Sequence, residues 1–362
     1  MSMMGTGACI AFQLVANAVS LDMQVGGADI RAVVDSGATV SVIGADLAAK
    51  LGLRPLDFSA KIHSDTGVSR AQLAGPVSVT IGGRSVLLPY VVVSSSYIAL
   101  INRTGLDAQY VVGQDTLSGS VIDFNFSKKC VRFDAPSSVR TEHGYRALDL
   151  RRDSLGRYVV SIQIGELPET DAIVDLGNAS PLMLSADFFT AAELGKGRPT
   201  STAAIGMSSG IVTGKSITIP SATLAGFQMA DIPVQIVPGW RSPQPVNIGL
   251  PLLQNFDFIL DVPHAKVWFK ALGRTHFDKD LSGLGIAYEG NYLRVVHVAV
   301  GSPAARSGWQ VDERIIAVGR NRIDKNYFRS NIWRWRFNHP GRSINMTMAD
   351  GSIRLIRLSS YF

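Results

Sequence analysis

The sequence predicts a mainly β protein in which two copies of one β-domain are followed by a smaller, different module. Three observations predict it. Aliphatic runs are short and broken every few residues by glycine or polar residues, the rhythm of strands and turns. A pattern that begins at Val19 returns at Val160. From Ser282 onward both the charge and the local pattern change. A chain of 362 residues is too long for one ordinary domain. The boundaries expected are 1–137, 138–275 and 276–362.

The N-terminal stretch "GACIAFQLVANA" is apolar and ends in the triplet Ala16-Asn17-Ala18. It lacks a basic leading region, so it makes a poor signal peptide. Ile10, Phe12 and Leu14 alternate with smaller or polar residues, which favours a strand. Compartment stays open: periplasm or envelope if a signal lies upstream, cytoplasm otherwise. No run of about 18 apolar residues occurs, so no membrane span is expected. The two cysteines, Cys9 and Cys130, match no metal or redox motif. Either they form one bridge, which requires the N-terminal strand to lie beside the strand of Cys130, or both are free.

The repeat comes next. "VSLDMQVGGADIRAVVDSGATVSVI" from Val19 aligns with "VSIQIGELPETDAIVDLGNASPLML" from Val160. Each reads as a strand, a turn, a second apolar strand, then Asp, any residue, Gly. A short helix is expected after each, at "GADLAAKLGL" and "SADFFTAAELG". Downstream, "VVGQDTL" around Gly113 matches "NIGLPLL" around Gly249. Each is followed by a strand ending in Asp (Asp123, Asp261) and a final strand reaching Phe133 or Phe269. The polar stretch 135–146 joins the copies.

Duplicated domains related by a pseudo-twofold axis bring equivalent residues together. Asp35 and Asp175 are the acidic residues at the same motif position in both copies. Two carboxylates in contact share one proton, because both cannot ionise near neutrality. One then activates water while the other polarises a carbonyl. Gly37 and Gly177 permit the tight turns and the approach of backbone N–H groups to the carboxylates. Asp123 and Asp261, each at a strand end, are read as structural. The six histidines are scattered, with no His-Glu-x-x-His, and no Gly-x-Ser-x-Gly suggests a serine nucleophile.

"VVDSGATVSVIG" resembles the retropepsin-like aspartic proteases, and "VVGQDTL" and "VNIGLPLL" resemble that family's second element. The resemblance covers roughly residues 10–270. It implies a duplicated, single-chain aspartic endopeptidase. Asp35 and Asp175 are its catalytic pair, supported by Ser36, Gly37, Ala38 and Gly177, and it needs no metal or other cofactor. It also implies flap hairpins over bound peptide, at Thr66, Gly67 and Val68 and at Ser209 and Gly210. The alternative at each place is an ordinary glycine hairpin. The second copy departs from the pattern. Leu176 stands where the family has a hydroxyl that cross-links the two turns. Either the pair works with a less rigid frame, or the second copy is a degenerate peptide binder, or two chains contribute Asp35 each.

The last module resembles the PDZ domains attached to bacterial proteases. "GLGI", Gly283, Leu284, Gly285 and Ile286, resembles the carboxylate-binding loop, and "GSPAARSG" a short helix of that fold. "FRSNIWRWRF" is a helical candidate, and "SINMTMADGSIRLIRL" a hairpin turning at Asp350-Gly351. The resemblance implies capture of a peptide C-terminus or positioning of a protein substrate. From Ser282 the chain carries 12 Lys/Arg against 5 Asp/Glu, +7 of the net +6, leaving −1 elsewhere. Those arginines are dispersed, so no nucleic-acid partner is expected.

Overall fold

The computed structural model describes residues 8–135, 143–207, 210–337 and 339–362. It is mainly β. In the first copy, Ala18–Val25 pairs antiparallel with Ala28–Val34, which carries the chain into Asp35. Ala28–Val34 then pairs in parallel with Tyr110–Val112, Val33 opposite Val111. In the second copy, Tyr158–Ile164 pairs with Thr170–Asp175, which pairs in parallel with Val246–Gly249. Val33, Val34, Ile173 and Val174 are buried, so each aspartate ends an apolar strand inside its own core.

Helices follow both turns, at Ala45–Lys50 and Ala186–Ala191, where the repeat predicts them. The second has a Ser185 side-chain cap; the first has no side-chain cap. Gly113 and Gly249 pack directly behind the turns. A Cβ on Gly113 would lie 2.7 Å from the Ser41 backbone nitrogen, and one on Gly249 2.0 Å from the Ser180 carbonyl oxygen. Only glycine fits either place.

The base of the two copies is a single sheet. Its six strands run in the order Ile10–Ala11, Cys130–Asp134, Val121–Asn125, Phe256–Asp261, Lys266–Ala271, Arg146–Asp149. Equivalent strands of the two copies meet at its centre, antiparallel, with Ile122 opposite Leu260 and Phe124 opposite Phe258. Phe124, Phe126 and Phe258 stack there. Ala11 lies opposite Cys130, and Cys9 is bonded to Cys130. The N-terminal stretch forms short strands, Ile10–Ala11 and Gln13–Val15, and turns at Ala16-Asn17. Asp123 pairs with Arg132 at 2.6 Å and Asp261 with His264 at 2.7 Å, both away from the cleft.

The C-terminal residues form a sheet with its own core, in the order Leu284–Tyr288, Leu293–Val298, Arg314–Val318, Ser343–Met348, Ile353–Arg357. The helix at "GSPAARSG" is Pro303–Arg306, and the hairpin at Asp350-Gly351 forms. "FRSNIWRWRF" does not make an α-helix. Asn331–Arg336 is a single 3-10 segment, because Trp335 must turn inward to donate its indole N–H to Tyr327 Oη at 3.0 Å. This sheet packs on the second copy through Thr200–Met207: Ser201 donates to the Val300 carbonyl, and the Val300 N–H donates to Thr202.

Candidate active site

Asp35 and Asp175 face each other across the two copies. A Cβ on Gly37 would lie 2.6 Å from the Asp175 carboxyl carbon, and one on Gly177 2.5 Å from that of Asp35. Each motif glycine is therefore the space in which the other copy's carboxyl sits. The N–H groups of Gly37 and Ala38 donate to Asp35 Oδ1 at 2.9 and 3.1 Å, and Gly177 N–H donates to Asp175 Oδ1 at 2.8 Å.

The outer oxygens are held differently. The Tyr97 hydroxyl donates to Asp35 Oδ2 at 2.9 Å, from the helix Ser95–Asn102. The Asn247 amide donates to Asp175 Oδ2 at 2.7 Å. Asn178 donates to Asn247 Oδ1 at 2.8 Å and so fixes which way that amide points. Neither Tyr97 nor Asn247 is singled out by the motif. Asn247 had a signal: it stands in an apolar strand where the first copy has Val111. Tyr97 had none.

Ser36 bridges the two turns. Its hydroxyl donates to the Val174 carbonyl at 2.8 Å and accepts from the Leu176 N–H at 3.0 Å. Leu176 is fully buried in the apolar core and makes no reciprocal bond through its side chain. The first turn has one more support: Gln114 donates to the Ser36 carbonyl at 2.7 Å, and Arg152 of the second copy donates to Gln114 at 2.8 Å.

Electrostatics separate the pair. Burial, and then the negative charge of Asp35, push the Asp175 carboxyl up to about 7. Burial also raises Asp35, against the opposing pull of the Tyr97 hydrogen bond. Tyr97 is itself held far into its protonated form by the Asp35 charge, so it remains a donor. The arrangement suits one proton shared by the two carboxyls.

The pair lies at the floor of a cleft of about 920 Å³ lined by both copies. One wall is the hairpin of Arg54–Ser64 and Gly67–Gly75. Its two-residue turn is Asp65-Thr66, so Gly67 opens the returning strand rather than forming the tip, and Val68 is half exposed. The opposite hairpin is Thr200–Met207 with Gly210–Leu224; Gly206 and Met207 reach the cleft, Gly210 has φ 121°, and Ser209 lies outside the described residues. Gly283, Leu284, Gly285 and Ile286 do not line this cleft. Their loop folds around Asp280, which accepts from the N–H groups of Ser282 and Gly283, while Ser282 Oγ accepts from Leu284 N–H.

Residues 21–118 match the family model described as gag-polyprotein putative aspartyl protease. That segment contains Asp35, Ser36, Tyr97 and the first hairpin. No curated protein matches the chain. Among solved structures, it is similar to Basic 7S globulin from soybean at 11% identity and TM-score 0.43, over 72% of this chain and 94% of that one. It is also similar to the aspartic proteinase from Irpex lacteus, at 13% identity and TM-score 0.47, over 74% and 98%. Among the described residues no cluster of side chains could hold a metal ion, and no helix is long and apolar enough to cross a membrane.

Proposed function

We propose that the chain is an aspartic endopeptidase that works as one polypeptide, with Asp35 and Asp175 as its catalytic pair. The observation that carries this is the reciprocal fit of each motif glycine against the other copy's carboxyl, in a cleft of about 920 Å³ lined by both copies. Asp35, whose carboxylate accepts from Tyr97, Gly37 and Ala38, takes a proton from a water placed between the carboxyls. Asp175 donates its proton to the scissile carbonyl oxygen as water attacks. The gem-diol then collapses: Asp175 takes back a proton from one of its hydroxyls, the C–N bond breaks, and Asp35 gives its proton to the leaving amine nitrogen, which restores the starting pair. The half-bridge through Ser36, with the Asn178–Asn247 chain, supports a working second turn despite Leu176. The substrate is an extended peptide bound beneath the Asp65-Thr66 hairpin.

The domain division 1–137, 138–275 and 276–362 belongs to this proposal, as does a PDZ-like reading of the last part. In that reading the edge strand Leu284–Tyr288 takes a peptide by strand addition. Leu284 N–H is already satisfied by Ser282, which favours positioning of the second hairpin over capture of a free carboxylate.

The test is cleavage of a mixed peptide library at several pH values by the wild type, Asp35→Asn and Asp175→Asn. Loss in both variants with intact circular dichroism is expected. Full activity of Asp175→Asn would sink the single-chain pair.

A further inference from the structure

The first hairpin delivers a third carboxylate to the pair. Asp65 sits at its turn, yet its side chain is only 11% exposed. Asp65 Oδ1 accepts from the Arg157 guanidinium at 2.8 Å, and Arg157 is itself buried. Asp65 Oδ2 accepts from the Asn247 amide at 3.2 Å, the same nitrogen that donates to Asp175 at 2.7 Å. The Asp65 carbonyl accepts from the Arg241 N–H at 2.7 Å. Arg157, Asn247 and Arg241 all belong to the second copy. A hairpin of one copy is thus fastened to the other by a desolvated ion pair and two further bonds.

We propose that Asp65 is a positioning residue that couples closure of this hairpin to protonation of Asp175, with the Asn247 amide shared between the two carboxylates. The coupling rests on the proposed catalytic pair but is read independently of cleavage.

The charge balance around Asp65 explains the direction. Arg157 is divided between Asp65 and Asp153, which accepts from it at 2.8 Å, with Ser242 on its remaining nitrogen at 2.6 Å. One guanidinium therefore faces two carboxylates, and the Asp65 charge is incompletely neutralised. Toward the cleft it faces Asp175 and, beyond it, Asp35 and Tyr97. On its own hairpin Lys61, His63 and Arg70 line the same cleft. A closed hairpin holds a negative charge beside Asp175 and favours its protonated form; an open one removes that charge. Burial raises Asp65 itself, Arg157 opposes, and the Asp175 charge adds to the rise, so the two acids influence each other. Closure over a peptide thus prepares the acid that must polarise the carbonyl.

The experiment is carboxyl-carbon NMR titration of the full chain labelled with ¹³C at aspartate side chains, in the wild type, Asp65→Asn and Asp65→Glu. In Asp65→Asn the Asp175 midpoint should fall to lower pH, and amide exchange in residues 60–71 should accelerate roughly tenfold. Asp65→Glu, which keeps the charge, should hold the Asp175 midpoint near its wild-type position. In the wild type the Asp65 and Asp175 carbons should each sense the other's titration. Faster exchange with an unmoved Asp175 midpoint would reduce Asp65 to a fastener and overturn the proposal. So would two independent wild-type curves, which can be read even if a variant fails to fold. Absence of peptide cleavage in the wild type would defeat the catalytic reading and leave these midpoints interpretable.

Discussion

The two aspartate turns reach the same geometry by different bonds. Around Asp35 the frame is a hydroxyl, an amide and a phenol: Ser36 ties the turn across to Val174 and Leu176, Gln114 holds the Ser36 carbonyl, and Tyr97 holds the outer oxygen. Around Asp175 the frame is an amide chain, Asn178 to Asn247 to the carboxylate, with a buried leucine where the first turn has its serine. The positions are related by the repeat; the chemistry is not. A carboxylate needs donors on its oxygens and a fixed backbone behind it, and several residue types supply them equally well. The difference also gives the two acids unequal surroundings at positions that the repeat makes equivalent.

Five outcomes would break or sharpen this comparison. The largest is catalytic: Asp35→Asn and Asp175→Asn should each lower kcat by about a thousandfold or more, measured by peptide cleavage. Unequal losses would show that one turn carries more of the chemistry. Next, the turns should differ in what they cost to perturb. Leu176→Ser should destabilise by about 3 kcal/mol in urea unfolding, because it removes buried apolar volume and inserts a hydroxyl into the core. A neutral or stabilising result would mean that the second turn was merely missing its cross-link. Ser36→Ala should cost about 2 kcal/mol, leaving the Val174 carbonyl and the Leu176 N–H without their partner.

Smaller effects lie in pH. Tyr97 lowers the Asp35 value, so Tyr97→Phe should move the acid limb of the activity profile to higher pH; an unmoved limb would show that the phenol is only packing. The folded chain holds protons on Asp175 and Asp35 more tightly than the unfolded chain does. That stability is fully present below the unfolded value near 3.8 and is lost as pH rises, through about 7 for Asp175. Thermal midpoints should therefore fall between about pH 4 and pH 7, with a flatter slope in Asp175→Asn.

Much of this was legible beforehand because repetition is a long-range signal carried in the chain itself. The Asp-x-Gly pairs, the helices after them and the glycines at 113 and 249 recur at matched spacings, and matched spacing implies matched placement. Tyr97, Arg157 and Asp65 lie outside the matched motifs; Tyr97 reaches Asp35 within the first copy, and Asp65 meets Arg157 only across the two copies. An ion pair 92 residues apart leaves no local pattern. Asn247 was the exception, a polar residue interrupting an apolar strand. The 3-10 segment at Asn331–Arg336 departs from the helix expected there for the converse reason. Its aromatic and basic composition suits a helix locally, while the Trp335 contact with Tyr327 decides its winding.

The shared base sheet bears on how freely this chain can change. The separation of Asp35 from Asp175 rests on the Ser36 bridge between the turns and on a ladder of backbone bonds, Val121–Asn125 against Phe256–Asp261. The joining stretch can therefore lengthen, shorten or drift in composition without moving either carboxylate, whereas one residue slipped in the central ladder would misalign both. Tolerance to insertion and intolerance to register error lie in the same molecule, a few residues apart.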